Sequence, residues 1–273
     1  MTSEPTAATT ARPDGRQARS PGVRAALSVV ELLVTEGPLG LGDLARRLAL
    51  PKSTLHRICA ILVERGWAVR DAQGSYEPGV RAIGLGQRAG DLPIVSGFRH
   101  AVPDLMSRHD ETVGLAVLDG DETVYIALEE TTQPVRLVTW VGRRTPAFAS
   151  ASGRVLLADR PPDAVAALFG GGGPLVTPTG RRLRSVAELH EILERVRRDG
   201  YAENHEETAP GLYTASVPVH NSAGNVLAAM TICIPTSRAS PDRLERILPD
   251  LRAAGERMSA EVGWLSAYHA RAG

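Results

Sequence analysis

The stretch Gly42–Arg70, GDLARRLALPKSTLHRICAILVERGWAVR, decides how this chain is read. Leu41, Leu44, Ala45 and Leu48 recur at the spacing of one helical face, which predicts a short helix with Arg46 and Arg47 on its outer side. Leu50-Pro51 opens the next helix, since proline suits a first helical turn. Its buried stripe is Leu55, Ile58, Cys59 and Leu62, and Gly66 is a good stop after Arg65. The outward side then carries Lys52, Ser53, Thr54, His56, Arg57 and Ala60. Short polar and basic groups at a helix N-terminus can meet phosphates through backbone N–H groups and base edges through side chains. Trp67–Arg70, the turn Asp71-Ala-Gln-Gly74 and Ser75–Glu77 follow as a β-hairpin. Amphipathic helices alone fit any helical bundle; the tight connection, the polar face and the hairpin together point to DNA.

Upstream, Val23, Leu27, Val30, Leu33 and Val34 mark a helix that ends at Gly37-Pro38. Residues 1–21 lack an apolar period and are rich in Thr, Ala, Pro, Ser and Arg, so they read as a disordered arm. Arg12, Arg16, Arg19 and Arg24 could enter a minor groove, but this composition reads first as a solvated tail.

Bulk properties agree with a soluble protein of ordinary composition. The 273 residues are 43% hydrophobic and 23% charged, with no net charge. Residues 1–90 hold 12 Lys+Arg and 8 Asp+Glu, a net of +4, which leaves 19 against 23, a net of −4, for residues 91–273. The basic end is the end with the groove-reading pattern. Cys59 and Cys233 lie far apart in apolar segments, which speaks against a disulfide framework and for a cytoplasmic protein. No apolar run approaches the ~18 residues of a membrane span.

The tract LARRLALPKSTLHRICAILVERGWAVRDAQGSYEPGVRAIGLG resembles the N-terminal winged helix-turn-helix of the IclR family of bacterial transcriptional regulators, and the match runs from Arg24 through Gly86. One departure is Ala49, where the family commonly has Gly between the second and third helices. A positive φ there would cost alanine about 1 kcal/mol relative to glycine. The motifs VRLVTWVGRRTPAFASASGRVLLA, RRDGYAENHEETAPGLYTASVPV and NVLAAMTICIP are similar to the effector-binding half of the same family. The resemblance implies an α+β protein with a GAF-like mixed antiparallel sheet and flanking helices in its second half. The expected organisation is a disordered arm over 1–21, a winged helix-turn-helix over 22–79, a linker helix over 80–92, and an effector-binding and oligomerisation domain over 93–273.

Within that second half, a helix is expected from Ile94 to His109. Strands are read at Thr112–Leu118, Thr123–Leu128 and Val135–Trp140, with the turn Asp119-Gly120-Asp121 joining the first two. Helices are read at Ser152–Ala158, Pro162–Phe169 and Val186–Arg198. A strand from Gly200 to Asn204, a hairpin of Leu212–Val219 with Val226–Ile234, and a closing helix from Arg243 to about Leu265 complete the pattern.

Catalytic signatures are missing from this sequence. Gly170–Gly173 precedes Pro174 and lacks a following Gly-Lys-Ser/Thr, no Gly-x-Ser-x-Gly elbow occurs, and His-Glu-x-x-His is absent. His205-Glu206-Glu207 is the most polar cluster and reads as a solvated loop more readily than as a metal site. No catalytic residue, metal or cofactor is assigned. A small-molecule pocket fits better, because Ser150, Ser152 and Gly153 sit where a helix N-terminus can receive a carboxylate or another electron-rich group.

The resemblance carries the effector positions onto Ala151 and Ser152, Asn204, Leu212 and Thr214, and Thr231 and Cys233. Asn204 stands where the family often has Asp, and Thr214 where it often has Cys, which implies a polar but uncharged pocket. The expected partners are operator DNA, a small organic acid or other polar metabolite, and further copies of the chain as a homodimer or homotetramer. Ser53, Thr54, His56 and Arg57 are expected at base edges, and Lys52, Arg46, Arg47 and Arg70 at phosphates. The function so implied is that of a metabolite-responsive regulator, a repressor first. An activator, a constitutive DNA-binding protein whose second domain only oligomerises, and an enzyme with an attached DNA-binding module are the alternatives.

Overall fold

The computed structural model describes residues 21–272 apart from 91, 172 and 184, with side chains described as far as Val262. Residues 1–20 of the expected arm, with Arg12, Arg16 and Arg19, lie outside the described residues, and Pro21 already opens a helix. The chain divides after Arg88 into two compact units.

The first unit holds α1 (Pro21–Glu36), α2 (Leu41–Leu48), α3 (Lys52–Glu64), β1 (Ala68–Arg70), β2 (Tyr76–Pro78) and the start of α4 (Val80–Gly90). Its core gathers Ala25, Val29 and Leu33 from α1, Leu44 from α2, and Leu55, Ile58, Cys59 and Leu62 from α3, closed by Ala68 and Tyr76. The α3 stripe is the one its periodicity predicts. The α1 stripe is corrected. Leu33 is buried as read, but Val23, Leu27 and Val34 are 59, 60 and 60% exposed, and Ala25 and Val29 are buried in their place. Helix α1 is apolar on two sides, and helical spacing alone cannot say which side meets the core.

The hairpin forms as read, with Ala68 opposite Pro78 and Arg70 opposite Tyr76, and Leu39 bridges to Tyr76 as a third edge. Gly79 lets this wing close on α3. A β-carbon at Gly79 would stand 2.3 Å from the Gly66 carbonyl oxygen, which no side chain tolerates.

The second unit begins with α5 (Pro93–Ala101) and α6 (Pro103–His109). These replace the single helix expected from Ile94 to His109, because Pro103 lacks the N–H that would continue α5. There follow β3 (Thr112–Asp119), β4 (Glu122–Glu129), β5 (Arg144–Pro146), α7 (Ala151–Ala158), α8 (Pro162–Phe169), β6 (Leu175–Val176), β7 (Arg182–Leu183), α9 (Val186–Asp199), β8 (Ala202–His205), β9 (Leu212–His220), β10 (Val226–Pro235) and α10 (Pro241–Ala272). Six strands form one antiparallel sheet in the order β5-β4-β3-β10-β9-β8, and β6 with β7 makes a small separate ribbon. No described helix is long and apolar enough to cross a membrane.

The sheet is covered on both faces. Leu115, Tyr213, Ala215, Val217, Met230 and Ile232 pack against Phe98, Leu105, Leu251 and Met258 from α5, α6 and α10. On the opposite face, α7 and α9 bury Val155, Leu157, Leu189 and Leu193 with Ala202 and Ala229. Because successive strand residues alternate faces, Thr214, Ser216, Thr231 and Cys233 point away from the first of these layers. Thr214 pairs with Cys233 and Ser216 with Thr231 across β9 and β10, so the polar residues gather in one patch under α7.

The strand expected at Val135–Trp140 is not formed. The partner of β4 on that side is the short β5, with Val124 opposite Arg144. The intervening segment makes no ladder although its composition favours strand. Its Val135 carbonyl accepts from Arg238 Nη1 at 2.8 Å, a side-chain bond in place of a sheet bond.

Candidate DNA-contacting face and effector pocket

Helix α3 presents Lys52, Ser53, Thr54, His56 and Arg57 to solvent, on the side opposite its buried stripe. Pro51 caps its start with extended backbone and no side-chain hydrogen bond, and its first turn holds no acidic residue. The amides of that turn are therefore left for an outside acceptor, with the positive end of the helix dipole behind them. The side chains of Lys52, His56 and Arg57 make no hydrogen bond or ion pair among the described residues.

The other basic candidates are already engaged. Arg46 pairs with Asp43, and Arg47 with Glu36. Arg70 lies over the Tyr76 ring at 5.6 Å and donates to the Gly74 carbonyl at 3.3 Å. These are exposed contacts worth little in water, so a phosphate can compete for each guanidinium. Between α2 and α3, Ala49 adopts φ 49° and ψ 39°, and its N–H closes on the Ala45 carbonyl. The connection is left-handed backbone occupied by alanine.

The second site lies where α7 begins over the polar patch of the sheet. Ser150 caps α7, its Oγ accepting from the Gly153 N–H at 3.0 Å, and the Ser152 hydroxyl lies 3.4 Å from it. A small cavity of about 20 Å³ is lined there by Ala151, Ser152, Leu212, Thr214 and Thr231 of the predicted set. It is also lined by Tyr125, Leu137, Arg143, Thr145, Ser150 and Thr208. The hydroxyls of Ser216 and Thr231 bond at 2.8 Å just beyond it.

Two predicted pocket residues do different work. Asn204 is buried, its amide donating to the Ala149 carbonyl and its Oδ1 accepting from the Glu207 N–H at 3.1 Å. It spends both ends holding the segment before α7 against β8, and it does not line the cavity. Cys233 also stays out of the wall, 3.9 Å behind the Tyr125 hydroxyl. Burial pushes the Cys233 thiol up to about 12, so it remains a neutral thiol at physiological pH.

Tyr125 and Arg143 escaped the sequence reading. The Tyr125 ring lies across Gly114 on the neighbouring strand, where a β-carbon would sit 2.5 Å from the Tyr125 Cε1 atom, a fit that only the paired strands reveal. Arg143 has no signal in the sequence, because it lies beyond the expected strand Val135–Trp140 and only the fold brings it to the cavity.

The polar cluster at His205–Glu207 lies against a larger open cleft of about 290 Å³ between α9 and β8. The buried carboxylate of Glu207 is held there by Arg154 and Arg181. Arg154 also donates to the carbonyls of Phe148 at 3.1 Å and Glu203 at 3.2 Å. Burial lowers the pKa of this arginine, and the Glu207 charge opposes that shift. Glu207 thus serves as the counter-ion of a buried guanidinium.

Residues 23–72 match the IclR helix-turn-helix domain, and residues 86–260 match the bacterial transcriptional regulator IclR C-terminal domain. The chain is 30% identical over 238 residues to the HTH-type transcriptional regulator KdgR of Escherichia coli, covering 86% of this chain and 90% of that one. It is 29% identical over 230 residues to the HTH-type transcriptional repressor AllR of Klebsiella pneumoniae, covering 83% and 84%. A crystal structure of a transcriptional regulator from Alicyclobacillus acidocaldarius superposes with a TM-score of 0.79 at 27% identity, covering 90% of this chain and all of that one. With both halves matched in order and the helix-turn-helix, wing and curled sheet in place, this chain belongs to the IclR family of bacterial transcriptional regulators.

Proposed function

We propose that this regulator is a homodimeric repressor that binds operator DNA through α3 and releases it when a small metabolite occupies the cavity under α7. The observation that carries the reading is the solvent face of α3, where an uncapped helix start and three unpaired side chains, Lys52, His56 and Arg57, stand together. Ser53, Thr54, His56 and Arg57 read base edges in the major groove, while Lys52, Arg46, Arg47 and Arg70 hold phosphates.

Pairing is supported by apolar surface left open on two helices of the first unit. Val23, Leu27 and Val34 are exposed along α1, and Val80, Ile83 and Leu85 along α4. Such surface invites a second copy, and two copies place two recognition helices on a palindromic site. The metabolite acts by binding one arrangement of the regulator better than another, with the segment 80–92 as the connection. The protein works in the cytoplasm, where its DNA lies.

The test is a mobility-shift titration on the DNA upstream of the protein's own gene, repeated across a panel of small organic acids. A sequence-specific shift that one acid reverses supports the whole reading. A shift that no metabolite alters favours a constitutive DNA-binding protein, an alternative that the small volume of the cavity keeps in view.

A further inference from the structure

The cavity under α7 holds about 20 Å³, room for a single water and for no organic molecule. If it is the effector site, as proposed above, one wall has to move. The strands and α7 are fixed in the two hydrophobic layers of the sheet. Thr208 lines it from a loop tied across by the Gly211 N–H donating to Glu206 Oε1 at 2.7 Å, whereas Leu137 and Arg143 line it from the segment that makes no ladder.

That segment is pinned at its two ends. At the start, Thr131, Thr132 and Gln133 all donate to the Asp110 carboxylate, and the Val135 carbonyl accepts from Arg238. At the end, the Gly142 N–H donates to the Tyr125 carbonyl at 2.7 Å and the Arg143 carbonyl accepts from the Tyr125 N–H at 3.1 Å. Between these anchors the bonds are few. Arg136 pairs with Glu130 at 3.5 Å, and the Arg143 N–H reaches the Trp140 carbonyl at 3.1 Å. Arg143 Nη1 donates to the Val138 carbonyl at 3.1 Å. The Thr139 hydroxyl is buried without any partner, so the closed position leaves one polar group unsatisfied. Val138 and Val141 are exposed, so little apolar burial holds the segment down.

Arg143 is the one charged side chain among the residues that line the cavity. We infer that residues 136–141 form a lid over the effector cavity, latched by Arg143, and that a carboxylate ligand opens it by taking the guanidinium from the Val138 carbonyl. An ionised acceptor makes the stronger bond to a guanidinium, so the exchange runs toward the ligand. The lid then carries Leu137 out of the cavity and frees its volume. Arg143 thereby selects for anionic ligands, where the sequence alone implied a polar but uncharged pocket.

The latch can be tested on the full-length protein without knowing the natural ligand. Limited trypsin digestion, followed by mass mapping of the cut after Arg136, reads how often the lid leaves its seat. Acetate serves as the bare carboxylate, with acetamide at equal ionic strength as its uncharged counterpart. Acetate is expected to speed that cut about tenfold, the effect of releasing one charge-assisted hydrogen bond, while acetamide leaves it unchanged. Arg143→Gln should show the fast cut without acetate and no further response, and Arg143→Lys should retain a response. Unchanged cutting after other arginines shows that each variant is folded. Equal rates for wild type and Arg143→Gln, or equal responses to acetate and acetamide, overturn the latch. Operator binding measured on the same samples separates this failure from failure of the regulatory reading: intact binding with no acetate response sinks the latch alone.

Discussion

Gly153 and Ala147 meet backbone to backbone: a β-carbon on Gly153 would stand 2.1 Å from the Ala147 carbonyl oxygen and 2.3 Å from its Cα. This contact seats the first turn of α7 against the segment that leads into it. Gly153→Ala is expected to force the two apart at a cost of about 1–3 kcal/mol, the range for overpacking. Urea unfolding of the second unit would show the loss as a lower midpoint. A midpoint equal to wild type would mean that the α7 start is freer than this geometry.

Ala49 holds a left-handed conformation between α2 and α3. Replacing it with glycine removes the steric penalty on the β-carbon. Ala49→Gly is expected to stabilise the first unit by about 1 kcal/mol, visible as a higher thermal midpoint with operator affinity unchanged. A fall in the midpoint would show that unfolded-chain entropy outweighs the strain.

Arg57 and Lys52 are both unpaired on α3 but are assigned different tasks. Arg57→Ala is expected to weaken specific binding by about 1–3 kcal/mol, and to do so more on the operator than on random DNA. Lys52→Ala should weaken both alike and reduce the salt dependence of binding by about one unit of slope. Equal losses on both DNAs for Arg57→Ala would reassign it to phosphate.

Leu27 and Val34 are on the open side of α1, each 60% exposed. Leu27→Glu is expected to leave the monomer fold intact, because the core contact of α1 runs through Val29 and Leu33. If the proposed dimer pairs through this face, the sedimentation-derived mass falls from that of two chains in the wild type toward 29.0 kDa in the variant. Wild-type assembly in this variant would move the dimer contact elsewhere.

Asp110 ends α6 with φ 45° and accepts from the side chain and backbone of Thr132, with further bonds from Thr131 and Gln133. Those bonds to Thr132 lead in holding its carboxyl down at about 2, against an ordinary 3.8. Because the folded value is the lower one, the contribution is complete above 3.8 and is lost as pH falls toward 2. Asn is the suitable probe, since it tolerates left-handed backbone. Asp110→Asn should flatten the acid limb of the stability curve in that window and leave the slope near neutrality unchanged. An unaltered acid limb would assign the acid sensitivity to other carboxylates.

The first unit was the more legible because its information is local. The stripe Leu55, Ile58, Cys59 and Leu62 and the turn Asp71–Gly74 are set by spacing and turn chemistry within a few residues, and both stand as read. Helix α1 shows where this stops: two of its faces are apolar, and only the packed neighbours choose Val29 over Leu27.

The cavity was half legible. Ala151, Ser152, Leu212, Thr214 and Thr231, brought forward by motif matching, line one cavity, since strand alternation fixes which face each side chain takes. Asn204 lies outside the lining and bonds the Ala149 carbonyl, and its polarity looks the same in sequence whether it serves a ligand or the backbone.

The sequence by itself determined the helix-turn-helix, the hairpin and the strand faces, because periodicity and turn residues act over short distances. Only the tertiary structure decided that 135–140 stays out of the sheet, that Arg143 reaches the cavity, and that Arg154 is buried against Glu207. Each of these depends on a partner distant in sequence, and only folding brings such partners within bonding distance.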